Sequence, residues 1–179
     1  MPTIIGHAIS GLAISSSIIK KHQWHKVVLA GIICAVIPDL DVLAFRFGIP
    51  YENTFGHRGF THSIFFSVLL GILTAFLFKP ENTMERAKYV FIFSCCALSH
   101  CLFDACTNGG LGVAFFSPFS NERYFFAWQP IEVSPISIKK FLTTRGLAVL
   151  KSEFIWVILP SFVFGIIVSA TRYYIKLKR

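Results

Sequence analysis

The stretch "GHRGFTHS" (residues 56–63) directly precedes the apolar run "IFFSVLLGILTAFLF" (residues 64–78). The first stretch carries two histidines and an arginine, whereas the second has the character of a segment in contact with lipid. Ionisable side chains at the end of an apolar segment are costly to insert and therefore indicate a functional site. Together the two stretches predict a membrane helix with a polar site at one end.

The composition of the whole chain supports a membrane protein. Of its 179 residues 54% are hydrophobic, the mean hydropathy is +0.64, and only 15% are charged, against about 25% in soluble domains. A span needs about 20 apolar residues, and we expect an all-α bundle of about five spans, of which the first and fourth are short. We expect one integral-membrane domain over residues 1–179, with spans near 4–19, 27–47, 60–78, 89–105 and 154–174.

The net charge of +8 is explained by the ends of these spans. Basic residues collect on the cytoplasmic side of membrane proteins, so the charge favours a membrane over a nucleic-acid partner. With five spans, three basic groups share one side, which places the C-terminus in the cytoplasm and the polar site on the periplasmic side. These groups hold ten of the 17 Lys and Arg residues, namely Lys20, Lys21, Lys26, Lys79, Arg86, Lys88, Arg172, Lys176, Lys178 and Arg179.

A long segment of mixed polarity, residues 107–152, separates the fourth and fifth spans. It begins with "TNGGLG", a glycine cluster typical of a helix end and a turn, and continues with many aromatic residues. Because Trp and Tyr prefer the membrane interface, we expect a folded loop that lies on the bilayer and acts as a lid. Its last part, "KKFLTTRGLAVLKSEF", predicts a short amphipathic helix leading into the last span.

The chain has three aspartates, and all lie at the ends of apolar stretches. His100 and Asp104 are four residues apart, so on a helix they share one face and can bind one metal ion; a hydrogen-bonded pair joining two helices is the alternative. Asp104 would oppose the helix dipole in the last turn, which a cation would offset. Asp39 and Asp41 point about 200° apart on a regular helix, so they converge only if the helix is disturbed, for example at Pro38.

The histidines of "GHRGFTHS" do not align on a helix. His57 fits the preceding loop and His62 the first turn of the third span, with Gly56 and Gly59 permitting the turn. Arg58 would then be a free cation beside the site. His7, near the start of the first span, is on its own an ordinary interfacial histidine or a further ligand.

Topology brings these residues together, because successive spans reverse direction. The start of the first span, the end of the second, the start of the third and the end of the fourth therefore all fall on one side of the membrane. Imidazole and carboxylate ligands suit Zn²⁺, Mn²⁺ or Fe²⁺, with zinc the first choice for hydrolysis. Seven candidate ligands exceed the four that one zinc ion usually has, so we expect one or two ions. The candidates are His7, Asp39, Asp41, His57, His62, His100 and Asp104.

Several motifs resemble those of a known family, the bacterial membrane-bound metal-dependent hydrolases that include the LexA-binding inner-membrane hydrolases. The resemblance covers most of the chain and rests on "GH" at 6–7, "PDLD" at 38–41, "HRGFTHS" at 57–63 and "LSHCLFDACTNGG" at 98–110. The pair "HRGFTHS" and HxxxD is specific, whereas "PDLD" alone is not. The family is distantly similar to zinc-dependent phospholipase C and to single-strand nucleases, which implies a bacterial inner-membrane location and a phosphoester substrate.

We therefore expect hydrolysis of a lipid-linked phosphoester by metal-activated water. Asp39 is the candidate proton acceptor, and Arg58 or Arg123 would neutralise the phosphate, since the guanidinium group matches its oxygens. The soluble relatives carry a further downstream histidine with an acidic partner. This chain has no histidine after His100, which argues against a three-metal site, and Glu153 is a candidate for the missing acidic group.

Two other classes of function stay open from the sequence. A metal or proton transporter also carries intramembrane His and Asp residues, but it would place them near the middle of the bilayer rather than at one end. A non-catalytic membrane protein could use the metal as a clamp between helices. The sequence carries no signal for the oligomeric state.

Overall fold

The computed structural model describes residues 1–18, 23–135 and 137–178. Lys20, Lys21 and Arg179 of the predicted cytoplasmic groups lie outside these residues. The described chain is helical and contains no β-strand, only two isolated bridges between residues 107 and 131 and between 113 and 124. The predicted all-α class is therefore confirmed. The α-helices are α1 (Ile4–Ile18), α2 (Trp24–Val36), α3 (Ile64–Phe76), α4 (Thr83–Ala105), α5 (Ile138–Phe141), α6 (Thr144–Glu153) and α7 (Leu159–Leu177).

Three helical runs are long and apolar enough to cross a membrane: residues 24–47, 83–105 and 144–175. The fourth predicted span is thus longer than the sequence indicated, because its helix begins at Thr83, where the Asn82 side chain accepts a hydrogen bond from Glu85 N and caps it. By contrast, α1 and α3 have 15 and 13 residues, or about 22 and 20 Å at 1.5 Å per residue. These two predicted spans are shorter than the hydrocarbon core of about 30 Å.

Helix α4 is the centre of the bundle and packs against α1, α2 and α3, while α7 packs against α1. The core between α2, α3 and α4 is apolar and includes Ala35, Ile92, Phe93 and Cys96. All five cysteines are free, in line with the predicted packing role. The amphipathic helix predicted before the last span is α6, which continues through a π-helical turn, Phe154–Ile158, into α7.

Helix α2 ends at Val36 and continues as an unusually long 3₁₀ helix, Ile37–Phe47. Runs of 3₁₀ helix beyond three or four residues are uncommon and often mark functional segments. Pro38 lies at its start and cannot donate a backbone hydrogen bond, which explains why the α-helical pattern ends here. The disturbance predicted at Pro38 is present, and it places both Asp39 and Asp41 on the inner side of the bundle, where they are buried.

Candidate metal centre

The loop before α3 brings two histidines to the end of the bundle. His62 lies in a separate 3₁₀ turn, Phe60–His62, rather than in the first turn of α3 as predicted; Ser63 then caps α3 by accepting a hydrogen bond from Phe66 N at 3.0 Å. A Cβ atom on Gly59 would lie 2.2 Å from the Thr54 carbonyl oxygen, so glycine is needed there for close approach. In this loop it is Arg58, rather than a glycine, whose backbone has the left-handed conformation, with φ 61°.

Asp41 fixes this loop through both of its carboxylate oxygens. Its Oδ1 accepts from His57 Nδ1 at 2.6 Å, and its Oδ2 accepts from Arg58 N at 3.0 Å and from Thr61 Oγ1 at 2.7 Å. His62 Nδ1 also lies 3.0 Å from Oδ2. A carboxylate that accepts from Nδ1 leaves the opposite nitrogen of the ring, Nε2, available to a metal. Asp41 therefore positions the histidines, while the His62 ring presents Nε2 to the interior.

His100 is oriented in the same way from α4. Its Nδ1 lies 2.7 Å from the carbonyl oxygen of Ala35, which can only accept, so Nδ1 carries the proton. The Nε2 atoms of His100 and His62 are 3.0 Å apart. In neutral rings held by these partners both atoms present lone pairs to each other, an arrangement that requires a proton or a cation between them.

Two aspartates complete this cluster. Asp39 Oδ1 lies 3.4 Å from His100 Nε2, and Asp104 Oδ2 lies 3.4 Å from His62 Nε2. Ligand atoms of all four residues lie within 4.8 Å of one another, and all four side chains are buried. We call His62, His100, Asp39 and Asp104 the His–Asp cluster. The predicted meeting of these distant residues at one end of the bundle is thus observed.

The polar atoms of the cluster have few partners of their own. Both oxygens of Asp39, Oδ1 of Asp104 and both ring nitrogens of His7 are buried without a close hydrogen-bond partner among the described residues. Oδ2 of Asp104 instead lies 2.9 Å from Arg58 Nε. Buried polar groups in folded proteins are nearly always paired, and an unpaired group points to a missing ion or water. Two carboxylates and neutral imidazoles form an oxygen and nitrogen donor set that suits a divalent cation. These observations fit a metal, whereas its identity and number do not follow from them.

The protonation of His62 supports the same view. Burial lowers the pKa of His62, but the carboxylates of Asp41 and Asp104 raise it more strongly, to about 9. A metal ion bound at His62 Nε2 would have to displace a proton from this nitrogen. The carboxylates around His62 thus favour a positive charge at this position, whether a proton or a metal ion carries it.

Of the other candidate ligands, His7 lies beside the cluster and His57 at its edge. The His7 ring stacks on His100 with centroids 3.6 Å apart, and its Nε2 is 3.5 Å from Asp104 Oδ1. His57 belongs to a second compact group with Asp39, Asp41 and His62, and because Asp41 holds its Nδ1, Nε2 is its candidate ligand atom. Ligation by any of these residues stays a prediction.

Arg58 is not the free cation that the sequence suggested. Its side chain is buried; Nε lies 2.9 Å from Asp104 Oδ2, and the terminal nitrogens donate to Gly109 O and Thr107 Oγ1, each at 2.9 Å. Arg58 thus supplies the positive charge expected opposite Asp104 at the end of α4, and it ties α4 to the following loop.

The other two predicted catalytic residues lie farther out. Arg123 donates to the carbonyl oxygens of His57 and Tyr51 and so fixes the loop before α3. The Glu153 side chain accepts from Thr3 Oγ1 at 2.6 Å, which joins α6 to the beginning of α1. Neither residue belongs to the compact His–Asp groups, and their catalytic roles stay predictions.

Sequence reasoning did not find Thr61, Thr107 or the Ala35 carbonyl as parts of the site. Thr107 follows Asp104 by three residues, a spacing that places it just after the end of α4. No residue type marks the Ala35 carbonyl, because any residue supplies the same backbone oxygen.

The role of Asp41 can be tested by the substitution Asp41→Asn. The amide cannot accept from His57, Thr61 and His62 together, so we expect metal affinity to fall about 10- to 100-fold while the ligand atoms themselves remain. Titration of the purified protein with Zn²⁺ measures this change, and Glu52→Gln, at an exposed site, is the matched control. Unchanged affinity in Asp41→Asn would show that Asp41 does not position the ligands.

Comparison with known proteins places these residues in a family context. The profile of the YdjM inner membrane protein family matches residues 1–176. The chain is 41% identical to the inner membrane protein YbcI of Escherichia coli (strain K12) over 160 residues, 89% of this chain and 92% of the relative. It is 30% identical to the inner membrane protein YdjM of the same strain over 101 residues, 52% of this chain and 51% of that protein. YvsG of Bacillus subtilis (strain 168) is 25% identical over 118 residues, 61% of this chain and 70% of the relative. No solved structure shows a significant match.

Proposed function

The chain belongs to the YdjM inner membrane protein family, and we propose that it is a metal-dependent hydrolase of phosphoesters. The observation that carries this proposal is the His–Asp cluster, in which ligand atoms of two buried carboxylates and two buried imidazoles lie within 4.8 Å of one another. The names of the two Escherichia coli relatives describe a location in the membrane and no reaction, so the activity rests on the geometry and on the resemblance of the sequence motifs.

A divalent ion in such a site supplies Lewis-acid polarisation of a phosphoryl oxygen and a water nucleophile of lowered pKa. His62 and His100 would bind it through Nε2, together with oxygens of Asp39 and Asp104. Asp39 Oδ1 faces His100 Nε2 at 3.4 Å, so Oδ1 would bind the metal and Oδ2 would be the candidate proton acceptor. Asp41 and the Ala35 carbonyl keep the imidazoles in the required tautomers.

The positions of the cationic side chains restrict how the phosphate is bound. The guanidinium of Arg58 is engaged by Asp104, Thr107 and Gly109. It would therefore stabilise the phosphate by its charge at a distance, or by direct contact after one of these partners is released. Arg123 lies closer to the surface, near Tyr51. We propose that the metal itself provides most of the positive charge for the phosphoryl group.

The proposal also includes the side of the membrane on which the His–Asp cluster lies. The excess of basic residues at the opposite ends of the helices favours a periplasmic His–Asp cluster and a cytoplasmic C-terminus, and residues 107–152 would then lie over the site as a lid. We propose this arrangement within a single domain, with lipid-linked substrates and without a nucleic-acid partner.

A metal clamp is the second candidate function, and one observation favours it. The cluster joins the segment after α2, the turn before α3 and the end of α4, and its side chains are almost fully buried. A cation there would hold three parts of the bundle together even without access for a substrate.

The test is hydrolysis of bis(p-nitrophenyl) phosphate by the purified full chain in detergent, with Zn²⁺ or Mn²⁺ and with chelator. We expect hydrolysis that depends on added metal and is abolished in Asp39→Asn measured at saturating metal. A chain that binds metal stoichiometrically but hydrolyses neither this diester nor a phospholipid would establish the clamp instead. A chain that binds no metal would contradict both functions.

A further inference from the structure

An apolar cavity of about 450 Å³ opens beside the His–Asp cluster. Its walls come from the beginning of α1, the 3₁₀ helix after α2 and the short helix α5, and they include Ile4, Ile5, Leu40, Val42, Leu43 and Phe141. Cavities of a few hundred Å³ with mainly apolar walls and a few polar groups are the usual form of a small-molecule site.

Asp39 supplies a charged side chain to this cavity. The residue is 8% exposed, and its carboxylate has no close hydrogen-bond partner among the described residues. The same carboxylate belongs to the His–Asp cluster, so the cavity has a metal-binding end and an apolar body. A ligand that fits both must be amphiphilic, with an anionic group at the metal and hydrocarbon along the walls.

The apolar residues around this cavity are also exposed at its mouth. Ile5 is 59% and Leu43 48% exposed, although both lie on apolar segments of a membrane protein. In a bilayer such surfaces would be in contact with acyl chains, so the mouth would open to hydrocarbon.

We propose that this cavity receives the hydrocarbon chain of a membrane phospholipid whose phosphate group lies at the His–Asp cluster. This inference rests on the proposed function, because the metal end of the site selects the phosphate. It adds the place where the lipid chain is held: the phospholipid enters from the bilayer with its chain between α1 and the 3₁₀ helix. A soluble phosphoester would use only the metal end and would not fill the cavity.

The experiment uses phosphatidic acid that carries a diazirine in one acyl chain, photolysed with the zinc-loaded protein in detergent micelles. We expect labelled peptides to map to the beginning of α1 and to the 3₁₀ helix. Leu43→Trp would place an indole ring in the space proposed for the acyl chain, so the two would overlap, and labelling should fall about tenfold. Ile5→Trp, at the beginning of α1, should have the same effect.

Leu29→Trp is the matched control, because Leu29 is 58% exposed on α2 and does not line this cavity. It should be labelled like the wild type and should retain zinc and hydrolysis of bis(p-nitrophenyl) phosphate. Equal labelling of Leu43→Trp, Ile5→Trp and Leu29→Trp, or label spread evenly over the apolar helices, would overturn the inference while leaving the hydrolase proposal intact. Loss of zinc from the wild type would instead remove the proposed function.

Discussion

Replacement of His100 by alanine is expected to remove bound metal from the purified protein. The substitution deletes Nε2, which lies 3.0 Å from His62 Nε2 and 3.4 Å from Asp39 Oδ1, and it leaves the remaining donors one ligand short. Removal of an outer partner costs about 10- to 100-fold in metal affinity, and the loss of a ligand should exceed that. Metal analysis of the protein after gel filtration measures the change directly.

His25→Ala is the matched control for this experiment, because His25 is exposed at the start of α2 and far in sequence from every cluster residue. It should retain the metal content of the wild type. His100→Ala also deletes the hydrogen bond to the Ala35 carbonyl, so far-ultraviolet circular dichroism should confirm that the bundle is still folded. A folded His100→Ala protein with the metal content of the wild type would remove the site hypothesis.

The convergence of the cluster could be predicted from the sequence because it depends on two simple regularities. His100 and Asp104 share a face of α4 through their spacing of four residues, and alternating helix directions place the end of α4 beside the start of α3. Neither regularity requires knowledge of side-chain contacts, which is why these parts of the site agree with the structure.

The different roles of Asp39 and Asp41 could not be predicted in this way. The sequence "PDLD" gives two equivalent carboxylates, and only the 3₁₀ geometry separates them. Asp39 then faces His100, whereas Asp41 faces the loop with His57 and Thr61. The position of Arg58 was missed for a similar reason, because its backbone has a left-handed conformation that non-glycine residues seldom adopt.

Replacement of Arg58 by methionine is expected to destabilise the protein strongly. Arg58 and Asp104 form a buried pair with 2.9 Å between Nε and Oδ2, and removal of one partner leaves a buried charge without compensation, which typically costs about 3–5 kcal/mol. Methionine keeps similar side-chain length and the same backbone cost at positive φ, so the change isolates the charge and its hydrogen bonds. Unfolding in detergent with increasing denaturant, in the presence of chelator, measures the loss.

A bound cation should reduce this effect, because it supplies positive charge to the same carboxylate. We therefore expect Arg58→Met to be less destabilised relative to the wild type at saturating Zn²⁺ than in chelator. Arg46→Met, at an exposed position on the 3₁₀ helix, should change the free energy of unfolding by no more than about 0.5 kcal/mol. If Arg58→Met is as stable as Arg46→Met in chelator, Arg58 does not compensate Asp104. If zinc leaves the difference unchanged, the cation does not bind at Asp104.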